Sequence, residues 1–452
     1  MDAAVATPLR KRQLSVHIPK PRESRGSMAP APAALEPVVS PTTRLFKDLY
    51  IVALFGFAKP TDLAAFRALL STVARHPRFC SIQATDEGGG TPRWARTTVN
   101  VDDHIIVPSL DAGAVAADPA KAVEDYVASL STLPMDFSRP LWEIHLLNFP
   151  TSSTVAATAV FRFHHSVGDG TSLISFLIAS AQSADSPEAP PSVPPPGRRR
   201  TGQIYARPCP PLSAGVFALA LWAWSCVVLA WNTVVDLVAF VATVLFLDDP
   251  DTPFKRAGHG EAVRSRRVVH RGLSLDDIKY IKNAMNCALA DMMDSSTKGK
   301  DVSWGIRLGF MLLPLHIALH NDDPLEYIRK AKKAVDRKKS SLEVLFTHAV
   351  VGLTTKFLGL KVASLVFERM LSHTTISISS VMGTIEKIEV AGHPAVFIAP
   401  TTFGVPEALC LNFQSYMNTV RVVLAVDDTT IPDYHALLDD FTACLKIIRD
   451  AS

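Results

Sequence analysis

No two cysteines of this 452-residue chain are spaced as CxxC. Cys80, Cys209, Cys226, Cys287, Cys410 and Cys444 are scattered singly, which excludes a zinc ribbon or a disulfide-stapled scaffold and fits a reducing, cytosol-facing medium. A large charge of one sign is missing too. With 46 Lys and Arg against 43 Asp and Glu, the net charge of +3 is too weak a field for a nucleic-acid binder, so nucleic acid is not expected as a partner. There is no GxSxG, hence no nucleophile elbow of a serine hydrolase. His316 and His320 in "HIALH" have helical i,i+4 spacing but no acid between them, so they read as packing or surface residues and no metal site is expected. His259, His348, His373 and His393 have no convincing partners in sequence. Finally, the basic residues of "MDAAVATPLRKRQLSVHIPKPRESRGSMAPAPAALEP" are not followed by an apolar run, which excludes a secretory signal. Residues 1–35 are expected to be a disordered extension, whose prolines also spoil the helix of a transit peptide.

What is present reads as two domains, the better division for this length. "DLYIVALFGF" predicts a strand. "TDLAAFRALLSTVARHPRF" predicts a helix capped by Thr61 or Asp62, with Leu63, Phe66, Leu69, Leu70 and Val73 on one face. "PLWEIHLLNF" and "TVAATAVFRF" alternate apolar and other residues and predict neighbouring strands joined by "PTSS". The first domain spans 36–185, and a Pro/Arg-rich linker follows at 186–211. Residues 212–248 form an apolar segment whose strongly polar members before the terminal Asp248 are Asn232 and Asp236, long enough to cross a bilayer core once. The second domain, 264–452, is predicted to hold helices at 274–292, 307–320 and 324–335. The strand-like runs "TTISIS", "EKIEV", "AVFIAP", "ALCLNF" and "RVVLAV" follow, then a helix at 434–449. "RKAKKAVDRKK" reads as a solvated helix face that could also meet anionic phosphates of CoA or lipid.

The residues with the most chemistry are in "FRFHHSVGDGTSL", 161–173. Alternation places Phe161, Phe163 and His165 on one face of a strand and Arg162 and His164 on the other. Gly168 and Gly170 would allow a sharp turn with positive backbone angles, and Thr171 or Ser172 would cap the helix that follows. An imidazole at the carboxyl end of a strand, with an ordinary pKa of about 6.5, suits proton removal from an alcohol. Asp169 could orient a ring or hold the turn, and spacing alone does not decide which.

"FHHSVGDGTSL" resembles the HHxxxDG motif of the wax ester synthase/diacylglycerol acyltransferase family, in its plant-type branch. "MDFSRPLWEIHLL", containing Pro140, Leu141 and Trp142, is similar to the family's PLW stretch. "HPRFCSIQ", "LSLDDIKYIKNAMN" and "AGHPAVFIAPTTFGVPEALCLNFQSYMNTVRVVLAVDDTTIPD" extend the resemblance over most of residues 38–450. It implies an α/β (α+β sandwich) architecture, the two-domain fold of CoA-dependent, chloramphenicol acetyltransferase-like acyltransferases. It also implies transfer of a fatty acyl group from acyl-CoA to a long-chain alcohol or diacylglycerol, with no cofactor and no covalent acyl-enzyme. On this resemblance His165 is the general base and His164 supports it. Asp169 shapes the turn and Gly170 lets the loop close.

Two departures stand out. After Asp291 the chain passes through "MMDSSTKGKDVSWGIRLGF" with no strand-like run, so the second sheet is expected to have a hole in its middle. The Asn-Val-Pro-Gly-Pro stretch of the family reads "SSVMGT" at 379–384. Both keep open a catalytically impaired or truncated member acting as a lipid-binding or regulatory protein. HxxxD acyltransferases of soluble acceptors are disfavoured because DFGWG is absent. A single crossing of the membrane would put the two halves of the implied active site on opposite sides. Residues 215–247 are therefore expected to form a monotopic helix or re-entrant hairpin on the cytosolic face of the endoplasmic reticulum. Trp222, Trp224 and Trp231 would anchor it, with Asn232 and Asp236 facing protein or water.

Overall fold

The computed structural model of the protein describes residues 48–85, 92–170, 172–173, 176, 182–183, 215–255, 265–285, 310–315 and 323–452. The N-terminal extension, the linker at 186–211, the stretch that follows Asp291 and the His316/His320 pair lie outside these residues. The elements in chain order begin with β1 (Tyr50–Phe57), α1 (Leu63–Val73), β2 (Ser81–Ala84), β3 (Arg93–Arg96) and β4 (Ile105–Ile106). Next come α2 (Ala112–Ala117), α3 (Pro119–Leu130), β5 (Trp142–Leu147), β6 (Ala157–His164), β7 (Gln182–Ser183) and the long helix α4 (Gly215–Leu245). The second half has β8 (Arg267–Ser274), α5 (Leu275–Ala284), α6 (Pro324–Lys339), α7 (Glu343–Phe357) and α8 (Leu360–Ser372). It ends with β9 (Ile376–Val381), β10 (Ile388–Val390), β11 (His393–Phe403), β12 (Leu409–Tyr416), β13 (Thr419–Val426) and α9 (Tyr434–Ala451).

Two sheets carry the fold. The first runs β4-β5-β6-β1-β11-β10-β7 and the second β8-β13-β12-β9. All eight residues of β1, YIVALFGF, are buried, as expected of a central strand covered on both faces. Asp62, not Thr61, caps α1 by accepting the Ala64 N–H at 3.0 Å, and Phe66, Leu70 and Val73 are buried while Leu63 is exposed. The expected β5–β6 hairpin forms with Trp142 opposite Phe163 and Glu143 opposite Arg162.

The strands do not respect the division at 185 and 264. β11 pairs antiparallel with β1, Tyr50 opposite Phe403, so the C-terminal half contributes β10 and β11 to the first sheet. The chain then passes to the second sheet at Gly404, whose φ of +92° and close approach to the Asp48 carbonyl leave no room for a Cβ. Cys410, Tyr416, Val423 and Ala425 of the second sheet join the core under the first. The opposite face of the second sheet packs on α9 through Leu438 and Phe441.

Several expectations for the second half need correction. Arg267–Ser274, which the periodicity leaves unassigned, is a strand, and the helix expected from 274 starts one residue later, with Ser274 as its N-cap. Residues 310–315 are not helical. Pro314 lacks an N–H and disfavours helical geometry at Leu313, and the Phe310 and Leu312 N–H groups donate instead to Thr347 Oγ1 and Glu343 Oε1. The third helix runs on to Lys339, and α7 and α8 were not anticipated. The expected hole in the second sheet is not found among the described residues. β9 docks parallel on β12 from Leu409–Ile376 to Gln414–Val381, which makes the four strands continuous.

The apolar segment is one unbroken helix of 31 residues, without an internal proline or glycine to turn it. This rules out the re-entrant hairpin. At about 1.5 Å per residue it is roughly 46 Å long, and by length and apolarity it could span a bilayer core. Trp224 and Trp231 are exposed, at 66% and 68%, whereas Trp222 is half-buried. Asn232 and Asp236 face protein: the Asn232 amide donates to Ser340 O at 3.3 Å, and buried Asp236 accepts from the Arg337 guanidinium and from Lys338 Nζ at 2.9 Å. Lys338 Nζ also donates to Glu343 Oε2 at 2.7 Å. The middle of α4 is thereby tied by buried charges to the corner between α6 and α7, and Phe240 packs with Ala363, Phe367 and Met370 of α8.

Candidate active site

The two histidines lie where β6 ends. β6 stops at His164, so His165 already belongs to the turn, and strand alternation does not set its direction. It is placed by its backbone instead, the His165 N–H donating to Leu49 O at 2.8 Å just before β1 begins. Leu49 packs in the same apolar cluster as Phe240 of α4 and Phe367 and Met370 of α8. One residue thus separates the His165 backbone from the helical layer that contains the long apolar helix.

The PLW residues form the support under the pair. Leu141 O accepts the His164 N–H at 3.0 Å, and Pro140 O accepts that of Trp142 at 2.9 Å. The fully buried Trp142 indole donates to Phe79 O at 2.9 Å and stacks on the His104 ring at 4.1 Å. His104 Nδ1 closes this arrangement on Trp142 O at 2.6 Å.

His164 and His165 differ in what they can do. His164 Nδ1 accepts the Ser166 N–H at 3.1 Å and lies 2.7 Å from Ser166 Oγ, which in the neutral ring leaves the proton on Nε2. Its ring meets Tyr50 and Phe137 edge-on, at 5.5 and 5.3 Å between centroids. His165 is 6% exposed, and burial, helped by neighbouring His164, pushes its pKa down to about 4. At neutral pH the His165 imidazole is uncharged, the form required to accept a proton.

Asp169 is a helix cap. Its Oδ1 accepts the Ser172 N–H at 2.7 Å and its carbonyl accepts the Leu173 N–H at 2.9 Å, so it takes the role expected of Thr171 or Ser172. Gly170 opens the helical turn without a positive φ, and a Cβ there would meet nothing within 4 Å. The expected positive angle is not what selects glycine at this position.

A buried polar row beneath His164 was missed by the sequence reading. Arg162 donates to Glu143 Oε1 at 2.6 Å, and His145 Nε2 lies 3.2 Å from the same oxygen. Tyr126 OH lies 2.7 Å from His145 Nδ1, and the Arg162 guanidinium sits 4.4 Å above the Tyr50 ring that His164 meets. Burial raises the Glu143 carboxyl, but hydrogen bonds from His145 and Arg162 outweigh it and hold the pKa at about 2. The signal was present: in an antiparallel hairpin Glu143 and His145 project on the same face as Arg162 and His164.

Residues 47–293 match the family model described as wax ester synthase/diacylglycerol acyltransferase catalytic domain, and residues 304–449 match the WS/DGAT C-terminal domain. The chain belongs to the wax ester synthase/diacylglycerol acyltransferase family. Wax ester synthase/diacylglycerol acyltransferase 11 of Arabidopsis thaliana is 36% identical over 479 positions, covering 92% of this chain and 95% of that protein. Number 4 of the same plant is 34% identical over 474 positions, covering 92% and 90%. Both alignments are longer than this chain, so these relatives carry internal residues with no counterpart here. Among solved structures, the family member from Marinobacter aquaeolei VT8 superposes with a TM-score of 0.55 at 16% identity, covering 92% of this chain and 98% of that one. The first condensation domain of the CDA synthetase gives 0.54 at 14%, covering 92% and 96%. These likenesses establish the two-domain acyltransferase fold. Family membership makes this chain an acyltransferase of the wax ester and diacylglycerol type.

Proposed function

We propose that this acyltransferase moves a fatty acyl group from acyl-CoA to a long-chain alcohol, to diacylglycerol, or to both, with His165 as general base and no cofactor. The observation that carries the reading is the buried, uncharged imidazole of His165 at the end of β6, on a residue whose backbone N–H is pinned to Leu49 O beside the apolar helical layer. His165 takes the proton of the acceptor hydroxyl as its oxygen attacks the thioester carbonyl. The tetrahedral intermediate collapses with cleavage of the C–S bond, and the CoA sulfur leaves with the proton held by the imidazolium. His164 supports the turn through Ser166, and Pro140, Leu141 and Trp142 hold the strand end. Asp169 and Gly170 shape the turn without touching substrate.

In this reading α4 lies on the cytosolic face of the endoplasmic reticulum membrane, with Trp224 and Trp231 toward the lipid. Drawing α4 across the bilayer would strip Asp236 from Lys338, and leaving one buried charge unpaired costs about 3–5 kcal/mol. Purified protein given labelled palmitoyl-CoA with hexadecanol and diacylglycerol in parallel tests the activity. Ester should form with at least one acceptor, and His165→Ala should lower turnover by about a hundredfold or more. Turnover above a few per cent in that variant would remove His165 from the role. The internal residues found only in the relatives favour a second reading, a lipid-binding member without turnover. Acyl-CoA binding with no ester from either acceptor would select it.

A further inference from the structure

Beyond the site, the hairpin of α7 and α8 is the largest feature that acyl transfer leaves unexplained. Between Glu343 and Glu368 the sequence has no acidic residue, and its formal charges are Lys356 and Lys361 alone. A helix of a soluble protein hides its apolar residues on one stripe. Here one set, Ala363, Phe367 and Met370, is buried against Phe240 of α4. A second set is left outside: Leu345, Phe346 and Leu353 of α7, and Val362 and Leu365 of α8. Exposure peaks at the turn, where Phe357 and Leu358 are 72% and 65% accessible and Gly359 reverses the chain with φ +84°.

We propose that the tip Phe357–Leu358, flanked by Lys356 and Lys361, inserts into the surface of an anionic lipid bilayer as a second contact beside α4. The proposal rests on the reading that α4 lies on a membrane. Three observations select lipid over a protein partner or a second copy of the chain. The hairpin shares its buried core with α4, so both elements belong to one apolar layer. No acid interrupts the exposed surface from α7 to the middle of α8. The exposed lysines bracket the tip, where their stems can lie along apolar surface while the ammonium groups reach lipid phosphates.

The test is sedimentation of the full chain with vesicles of phosphatidylcholine alone or mixed with phosphatidylserine. Phe357→Asp with Leu358→Asp is compared with Trp224→Asp with Trp231→Asp on α4. The tip variant should lose about tenfold or more in vesicle affinity. Lys356→Gln and Lys361→Gln should each cost about fivefold on the anionic vesicles only. If the wild type binds neither vesicle, the membrane reading of α4 fails and this proposal with it. If the α4 variant loses binding while the tip variant retains it, the proposal alone is overturned. A wild-type dimer that the tip variant splits, with unchanged vesicle affinity, likewise overturns it in favour of a second copy. Should the aspartates prevent folding, an environment-sensitive dye on Leu358→Cys, in a chain whose accessible Cys80, Cys226 and Cys444 are replaced by serine, gives the same answer. A blue shift on adding anionic vesicles supports insertion, and no shift refutes it.

Discussion

If His165 is the base and burial sets its pKa, the pH dependence of acyl transfer should lack a break where an ordinary histidine titrates. Burial lowers the group from 6.5 to about 4. At about 1.36 kcal/mol per unit, this is a bias of roughly 3 kcal/mol toward the neutral ring. At pH 5.5 an imidazole of pKa 6.5 would be about 90% protonated and the rate about tenfold down, whereas His165 would be only a few per cent protonated. The assay is kcat/KM for labelled palmitoyl-CoA with a saturating acceptor from pH 5 to 8. The profile should be flat from 8 to near 5. A fall with a midpoint near 6.5 would show that the base is solvated, or is another residue. The same shift carries a stability term of definite sign. Below pH 6.5 the unfolded chain binds a proton that folded His165 refuses, so stability is lost as pH falls from about 6.5 toward 4. His165→Ala should flatten that part of the curve relative to the wild type. His270, pushed down to about 3 by burial and by Arg421, contributes a similar slope to both proteins and cancels in the comparison.

Two further outcomes follow from buried charges. Arg162→Met should destabilise by about 3–5 kcal/mol because it leaves Glu143 charged and buried, and Glu143→Gln added to it should recover much of the loss. Urea melts of both single variants and of the double variant check this, and a double loss equal to the sum of the two single losses would show that the pair is not coupled. Glu407, buried and raised to about 7 by burial, binds its proton more tightly when folded, so the wild type loses stability as pH rises from about 4.5 toward 7. Glu407→Gln should therefore raise the Tm at pH 8 relative to wild type and change it little at pH 5; identical shifts at both would refute the assignment.

Sequence alone determined the parts whose signal is local. Alternation in "PLWEIHLLNF" and "TVAATAVFRF" sufficed for the β5–β6 hairpin, because side chains that face one core must recur every second residue. The HHxxxDG and PLW stretches sufficed for the family, as the matches over residues 47–293 and 304–449 show. Asn232 and Asp236 could be assigned to protein or water because an amide and a carboxylate cannot lie in hydrocarbon unpaired. Only the tertiary structure decided the rest. Which strand completes β1 depends on residues more than 300 positions away, a pairing that no periodicity encodes. Local apolar spacing suggested a helix across 310–315, but Pro314 breaks it, and side chains of α7 supply the hydrogen bonds that a helix would have made. The partner of Asp236 and the neutral state of His165 are likewise set by a neighbour distant in sequence and by burial. Desolvation and charge pairing act through space, and chain position does not reveal them.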